Sequence, residues 1–111
     1  MAYDEGLAFR IEEMLINFNT LNIESKKMFG GVGHLVNGNM ACGVHKDYLI
    51  VRVGPEAYQE VLDKKHTSVF DITGRPMTGW VTVDADGYES DDDLFGWIKQ
   101  GINFALSLPE K

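Results

Sequence analysis

The chain contains a single cysteine, Cys42, among 111 residues. That excludes an internal disulfide framework and fits a reducing compartment. No apolar run approaches the roughly 20 residues that a membrane-crossing helix needs. The start, Met1-Ala2-Tyr3-Asp4-Glu5, lacks the basic-then-apolar order of a secretion signal. These absences lead us to expect a cytoplasmic protein with no membrane contact. Positive charge is scarce as well: 10 Lys and Arg stand against 17 Asp and Glu, for a net charge of −7. Nucleic-acid affinity draws heavily on neutralised phosphates, so an acidic chain starts with the wrong field. Its basic residues are scattered, with Lys26-Lys27 and Lys64-Lys65 the only adjacent pairs. Direct DNA or RNA binding is therefore not expected.

What the sequence does contain is ordinary for a globular domain: 44% hydrophobic and 24% charged residues. At this length residues 1–111 make one domain with a real core, too short to split. Residues 4 to about 19 read as an amphipathic helix, with Leu7, Ile11, Met14, Leu15 and Phe18 on one stripe and Asp4 as cap. Lys27-Met28-Phe29-Gly30-Gly31 reads locally as a strand running into a glycine-marked break. The sheet itself is counted from the three-stranded antiparallel meander that follows.

Asn37-Gly38 between apolar runs is a strong hairpin signal, because a type I′ turn needs φ > 0 at both central residues. That turn sets Leu35 against Met40 and Val36 against Asn39. A second turn at Lys46-Asp47 sets Val44 against Leu49, Cys42 against Val51 and Met40 against Val53. Together they predict one core face of Leu35, Met40, Cys42, Val44, Leu49, Val51 and Val53. The other face, with His34, Val36, Ala41, Gly43, His45, Tyr48, Ile50 and Arg52, is more polar and is expected to be exposed or functional.

Pro55 suits the first turn of a short helix carrying Ala57, Tyr58, Val61 and Leu62. Residues 69–72 and 80–84 read as two more strands, and Asp84-Ala85-Asp86-Gly87 as a turn. The last helix spans about Asp91 to Leu108, capped by Ser90 and stopped by Pro109. Its apolar arc of about 200° is too wide for one sheet to cover, so either the first helix packs beside it or part of it meets a partner. The predicted class is α+β: a five-stranded antiparallel sheet with helices packed on it, in the order α-β-β-β-α-β-β-α.

Few constellations suggest chemistry. On the predicted register Cys42 and His34 point to opposite faces, and His45 and His66 lie elsewhere, so no metal centre or Cys-His nucleophile is expected. The run Asp84, Asp86, Glu89, Asp91, Asp92, Asp93 lacks the spacing of a calcium loop and suits a polar turn with helix-start charges. Gly30-Gly31-Val32-Gly33 does not open a helix and lacks a P-loop lysine. No catalytic, cofactor or metal residue is assigned.

Four blocks in order, KKMFGG, LVNGNMACGV, VRVGPEAY and TGRPMTG, resemble the TfoX N-terminal domain family, and the closing Leu106-Ser107-Leu108-Pro109 fits too. The resemblance implies a fold grouped with secretion-chaperone-like domains. It also implies a regulatory or adaptor role in transcription related to bacterial competence, with a transcription factor such as the cyclic-AMP receptor protein as partner. Competence regulators usually carry a second, C-terminal domain that this chain lacks, so a stand-alone form is expected.

Two groups are candidates for partner binding. The first is Lys27, Phe29, Gly30 and Gly31, from the KKMFGG block. The second is Arg75 and Met77, from the loop Thr73–Gly79, with Arg52 as a neighbour on the polar face. Arginine and methionine on a pinned loop suit an interface. Alternatively Arg75 pairs within the chain, with Asp71 or Glu56, and Phe29 belongs to the core. The expected function is non-enzymatic, through contact with a protein partner, and homodimerisation stays open. The alternative is a small-ligand-binding or enzymatic domain using the polar sheet face and the Gly74–Gly79 loop.

Overall fold

Asp4 starts the first helix by accepting the Leu7 N–H at 3.1 Å, which satisfies one of the first turn's orphan donors. The structure, a computed structural model, describes residues 3–28, 30–71 and 74–110. Helix α1 (Glu5–Leu15) buries Leu7, Ala8 and Ile11 and tightens into a 3₁₀ turn at Ile16–Phe18.

Six strands then build one antiparallel sheet: β1 (Ile23–Met28), β2 (Gly31–Val36), β3 (Asn39–His45), β4 (Tyr48–Arg52), β5 (Thr67–Val69) and β6 (Trp80–Val83), in the order β1-β2-β3-β4-β6-β5. Between β4 and β5 lies a short helix, α2 (Tyr58–Leu62). The α+β class holds, with six strands instead of five. The extra strand, β1, reads Ile-Glu-Ser-Lys-Lys-Met, with apolar residues only at its ends. The strand read locally at Lys27-Met28 is its end; an edge strand has no need of apolar alternation, so residues Ile23 to Lys26 carry no such pattern. The strand expected at 69–72 ends at Val69, and Phe70 leaves the ladder.

Both hairpin turns fall where the sequence put them. Asn37 and Gly38 take φ of 54° and 84°, as a type I′ turn requires. The β3–β4 register also holds, with Cys42 opposite Val51 and Val44 opposite Leu49. The β2–β3 register holds only near its turn, where Val36 faces Asn39 and Leu35 faces Met40; beyond it the register shifts and His34 faces Cys42. Ala41 is the extra residue of a β-bulge, a feature that residue pairing alone does not announce.

The bulge overturns the predicted faces in part: Cys42, Val44, Leu49, Val51 and Val53 lie in the core as expected, but Leu35 and Met40 do not. Val32, Val36, Ala41, Cys42, Val44, Leu49, Val51, Val81 and Val83 join the core beneath the helices. Leu35 and Met40 lie on the opposite face with Ile50, Phe70, Met77 and Trp80. That second face is thus an apolar cluster, not the polar surface expected. His34, placed on it by the sequence, is instead on the helix side opposite Cys42 and is 1% exposed.

The chain closes with a one-turn helix, α3 (Ala85–Tyr88), and a long helix, α4 (Asp91–Leu106). Where a turn was expected, Asp84 caps α3 by accepting the Gly87 N–H at 3.2 Å. Ser90 caps α4 by accepting the Asp93 N–H at 3.1 Å. Helix α4 buries Leu94, Ile98, Gly101, Ile102 and Ala105. Its wide arc is met within the chain only in part, and Leu106 stays exposed. Phe95 stacks on Phe18 with ring centroids 5.8 Å apart, and the Trp97 indole N–H donates to the Gly87 carbonyl at 3.1 Å. At Gly101 the helix rests on the sheet backbone, for an added Cβ would collide with the Ala41 carbonyl at the bulge.

Two glycines of α4 therefore predict opposite outcomes for one substitution. Gly96 faces open space, so Gly96→Ala should stabilise by about 0.5–1 kcal/mol through helix propensity. Gly101→Ala should destabilise by about 1–3 kcal/mol, because the overpacking exceeds that gain. Urea melts of both variants check the contrast, and a stabilised Gly101→Ala would show that the helix does not sit on the bulge.

His34 predicts an acid-sensitive fold. Its Nδ1 shares a hydrogen bond with the Ser25 hydroxyl at 2.8 Å, and its buried Nε2 has no partner among the described residues. Burial lowers its pKa from 6.5 to about 4. Between those values the unfolded chain binds a proton that the folded chain refuses. The stabilising effect of the neutral ring is therefore full above pH 6.5 and is lost as pH falls towards 4. The loss should approach about 3 kcal/mol. His34→Leu should flatten this part of the stability–pH profile, measured by urea melts from pH 7 to 4.

Candidate functional site

Arg52 ends β4 opposite Trp80 of β6, on the sheet face away from α1 and α4. Its guanidinium carbon lies 5.0 Å from the Trp80 ring centroid and 5.4 Å from that of Phe104, on the last turns of α4. The cation is held between an aromatic of the sheet and one of the helix. Burial lowers its pKa from the ordinary value, yet a guanidinium keeps its charge at neutral pH.

The loop after β5 is braced by its own backbone. Met77 N–H donates to the Phe70 carbonyl at 3.0 Å, Gly74 N–H to the Asp71 carbonyl at 2.8 Å and Trp80 N–H to the Met77 carbonyl at 3.0 Å. The Gly79 carbonyl accepts from Val53 N–H at 2.8 Å and Gly54 N–H at 3.1 Å, tying the loop to the end of β4. Phe70 and Met77 face the sheet with Trp80, while Arg75 is exposed. Among the described residues no carboxylate lies within 4.0 Å of Arg75, so neither Asp71 nor Glu56 pairs with it.

Beside Arg52 a mainly apolar groove of about 470 Å³ is lined by Val53, Pro55, Ala57, Phe104 and Leu108, with Glu56 and Ser107 also on its wall. Two cavities have different characters. One of about 400 Å³ is bounded by His45, Tyr48, Ser68, Phe70, Asp71 and Thr82. Another of about 510 Å³ is bounded mainly by charges of both signs, including Lys64, Lys65, Asp86, Asp92 and Asp93.

The candidates from the sequence separate into two places. Arg52 and Met77 share the Trp80 neighbourhood, with Arg75 on the same braced loop. Lys27 of β1, Gly30 and Gly31 of β2 lie at the β1–β2 connection, where β1 is three strands and β2 two strands from the β4 of Arg52. Phe29 lies outside the described residues. Gly31 has a structural use, because a side chain there would strike the Val44 carbonyl. The sequence reading missed Trp80 and Phe104 as parts of the site. Both depend on packing between β4, β6 and α4, for which no local pattern exists.

Cys42 and His34 do not point apart as expected, since they are cross-strand neighbours on one face. Only His66, Asp84 and Asp86 offer three ligand atoms within 4.8 Å of one another among the described residues. Asp84 Oδ1 is already used, accepting the Gly87 N–H and standing 3.2 Å from His66 Nδ1. Asp84 and His66 therefore have a structural use at the start of α3. Arg10 acts similarly: one guanidinium nitrogen donates to the carbonyls of Tyr88 and Glu89 and to Asp91, at 3.0–3.2 Å, joining α1 to the start of α4.

Cys42 is fully buried, and desolvation pushes its thiol pKa up to about 12. A thiol reagent should therefore label native protein slowly and denatured protein fast. Rapid native labelling would contradict the placement of Cys42 beneath α4.

The family model described as the TfoX N-terminal domain matches residues 18–105. The match spans every strand of the sheet and contains Arg52, Arg75, Met77, Trp80 and Phe104. No curated protein matches the chain.

Proposed function

The chain belongs to the TfoX N-terminal domain family, and on that premise we propose that it is a non-enzymatic adaptor acting by protein–protein contact in transcriptional regulation. One observation carries this reading: Arg52 is clamped between Trp80 and Phe104 beside an apolar groove, next to a braced loop that presents an exposed Arg75. Arginine and tryptophan are enriched among the residues that dominate binding energy. A loop already ordered by its backbone loses little entropy on binding. The family is not known for enzymatic activity.

With a net charge of −7, the partner of this reading is a protein and not duplex DNA. The family resemblance suggests a transcription factor such as the cyclic-AMP receptor protein, in a competence-related setting. No helix of the described residues is long and apolar enough to cross a membrane.

Arg75→Ala should leave the melting temperature within about 2 °C, since exposed side chains without partners contribute little to the fold. Loss of an interface arginine should weaken partner binding by about thirtyfold, equivalent to about 2 kcal/mol. The check is differential scanning fluorimetry beside binding of purified cyclic-AMP receptor protein by calorimetry. A large drop in melting temperature with unchanged binding would make Arg75 a structural residue.

A second reading, small-ligand binding, is favoured by the cavity of about 400 Å³, where His45, Tyr48, Ser68 and Thr82 converge beside the Phe70 ring. A thermal-shift screen of small polar metabolites, repeated on Thr82→Val, distinguishes it from the adaptor reading.

A further inference from the structure

Strand β1 forms one edge of the sheet, and its Glu24, Ser25, Lys26 and Lys27 side chains are exposed. It pairs with β2 over six residues without a bulge and contains no proline, so two usual protections of an edge are missing. The opposite edge, β5, has only three residues.

From this edge we propose that β1 pairs antiparallel with β1 of a second copy, continuing the sheet across a two-fold axis at Ser25. The charges choose the register. In a single strand every second residue presents its main-chain groups outward. Two copies related by a two-fold axis must therefore match positions of the same parity, and the axis passes through a residue. An axis at Glu24 sets that carboxylate against its own copy. An axis at Lys26 sets two ammonium groups together. Like charges directly opposite are destabilising. An axis at Ser25 alone places Glu24 of each copy against Lys26 of the other, twice, on the same face of the joined sheet. Lysines on an edge normally repel a second copy; here a glutamate two residues away turns that repulsion into a register.

A pairing of two six-residue strands is smaller than a standard interface and belongs to the weak, transient class, so the dimer should appear between about 10 µM and 1 mM chain. The test is sedimentation equilibrium of the whole chain across that range, with circular dichroism melts to verify folding. Glu24→Lys and Lys26→Glu are both exposed changes expected to leave the fold intact. Each alone should weaken association at least tenfold. Mixing the two variants should restore it, because each then meets its opposite charge, and the double variant should associate like the native chain. A wild-type chain that stays monomeric at 1 mM overturns the proposal. So does a dimer indifferent to both reversals, or no recovery on mixing. These outcomes do not depend on binding through Arg52 and Arg75, so the two proposals fail separately.

Discussion

The contact between Gly101 of α4 and the Ala41 carbonyl is the constraint on which the rest of the molecule depends. A helix usually meets a sheet through side chains; here it touches backbone, and only glycine allows that approach. The site of contact is the bulge, where an extra residue reverses which side chains face the helix. With α4 seated there, Leu94, Ile98, Ile102 and Ala105 reach the row of valines on the sheet beneath. The two ends of α4 are fixed separately. Arg10 holds the start through Asp91, and the Asn39 side-chain amide donates to the Pro109 carbonyl at 2.9 Å just past the end.

The same bulge creates the second face. It turns Leu35 and Met40 away from the helices, and the chain after β5 folds back to cover them with Phe70 and Met77. Covering that cluster is what brings the loop of Arg75 to the neighbourhood of Trp80. The candidate site is thus a by-product of how a two-sided sheet is closed by one layer of helices and one loop. His34 is another consequence. Beneath the helices it keeps one hydrogen bond and one buried nitrogen without a partner among the described residues, which makes it a weak point of the fold in acid.

Charge and shape both support the proposed contact with a protein partner. An acidic surface repels phosphate backbones, while a guanidinium stacked between aromatics beside an apolar groove suits another protein. The chain belongs to the TfoX N-terminal domain family, and the exposed edge of β1 is the surface through which we propose that copies of the chain meet.

The sequence by itself determined the features set by near neighbours. These are the Asp4 and Ser90 caps, the Asn37-Gly38 turn, the β3–β4 register, the stripe of α4 and the α+β class. Each follows from hydrogen bonds or φ preferences within a few residues. The family, too, was legible, in blocks of consecutive residues. Only the tertiary structure decided the bulge at Ala41, the burial of His34, the place of β1 and the stacking of Arg52 between Trp80 and Phe104. The bulge is chosen by a helix about 60 residues later in the chain, and the stacking by a strand pairing that skips over β5. A register moved by one residue exchanges the faces of a sheet, and that choice rests on what packs above it, which no local pattern encodes.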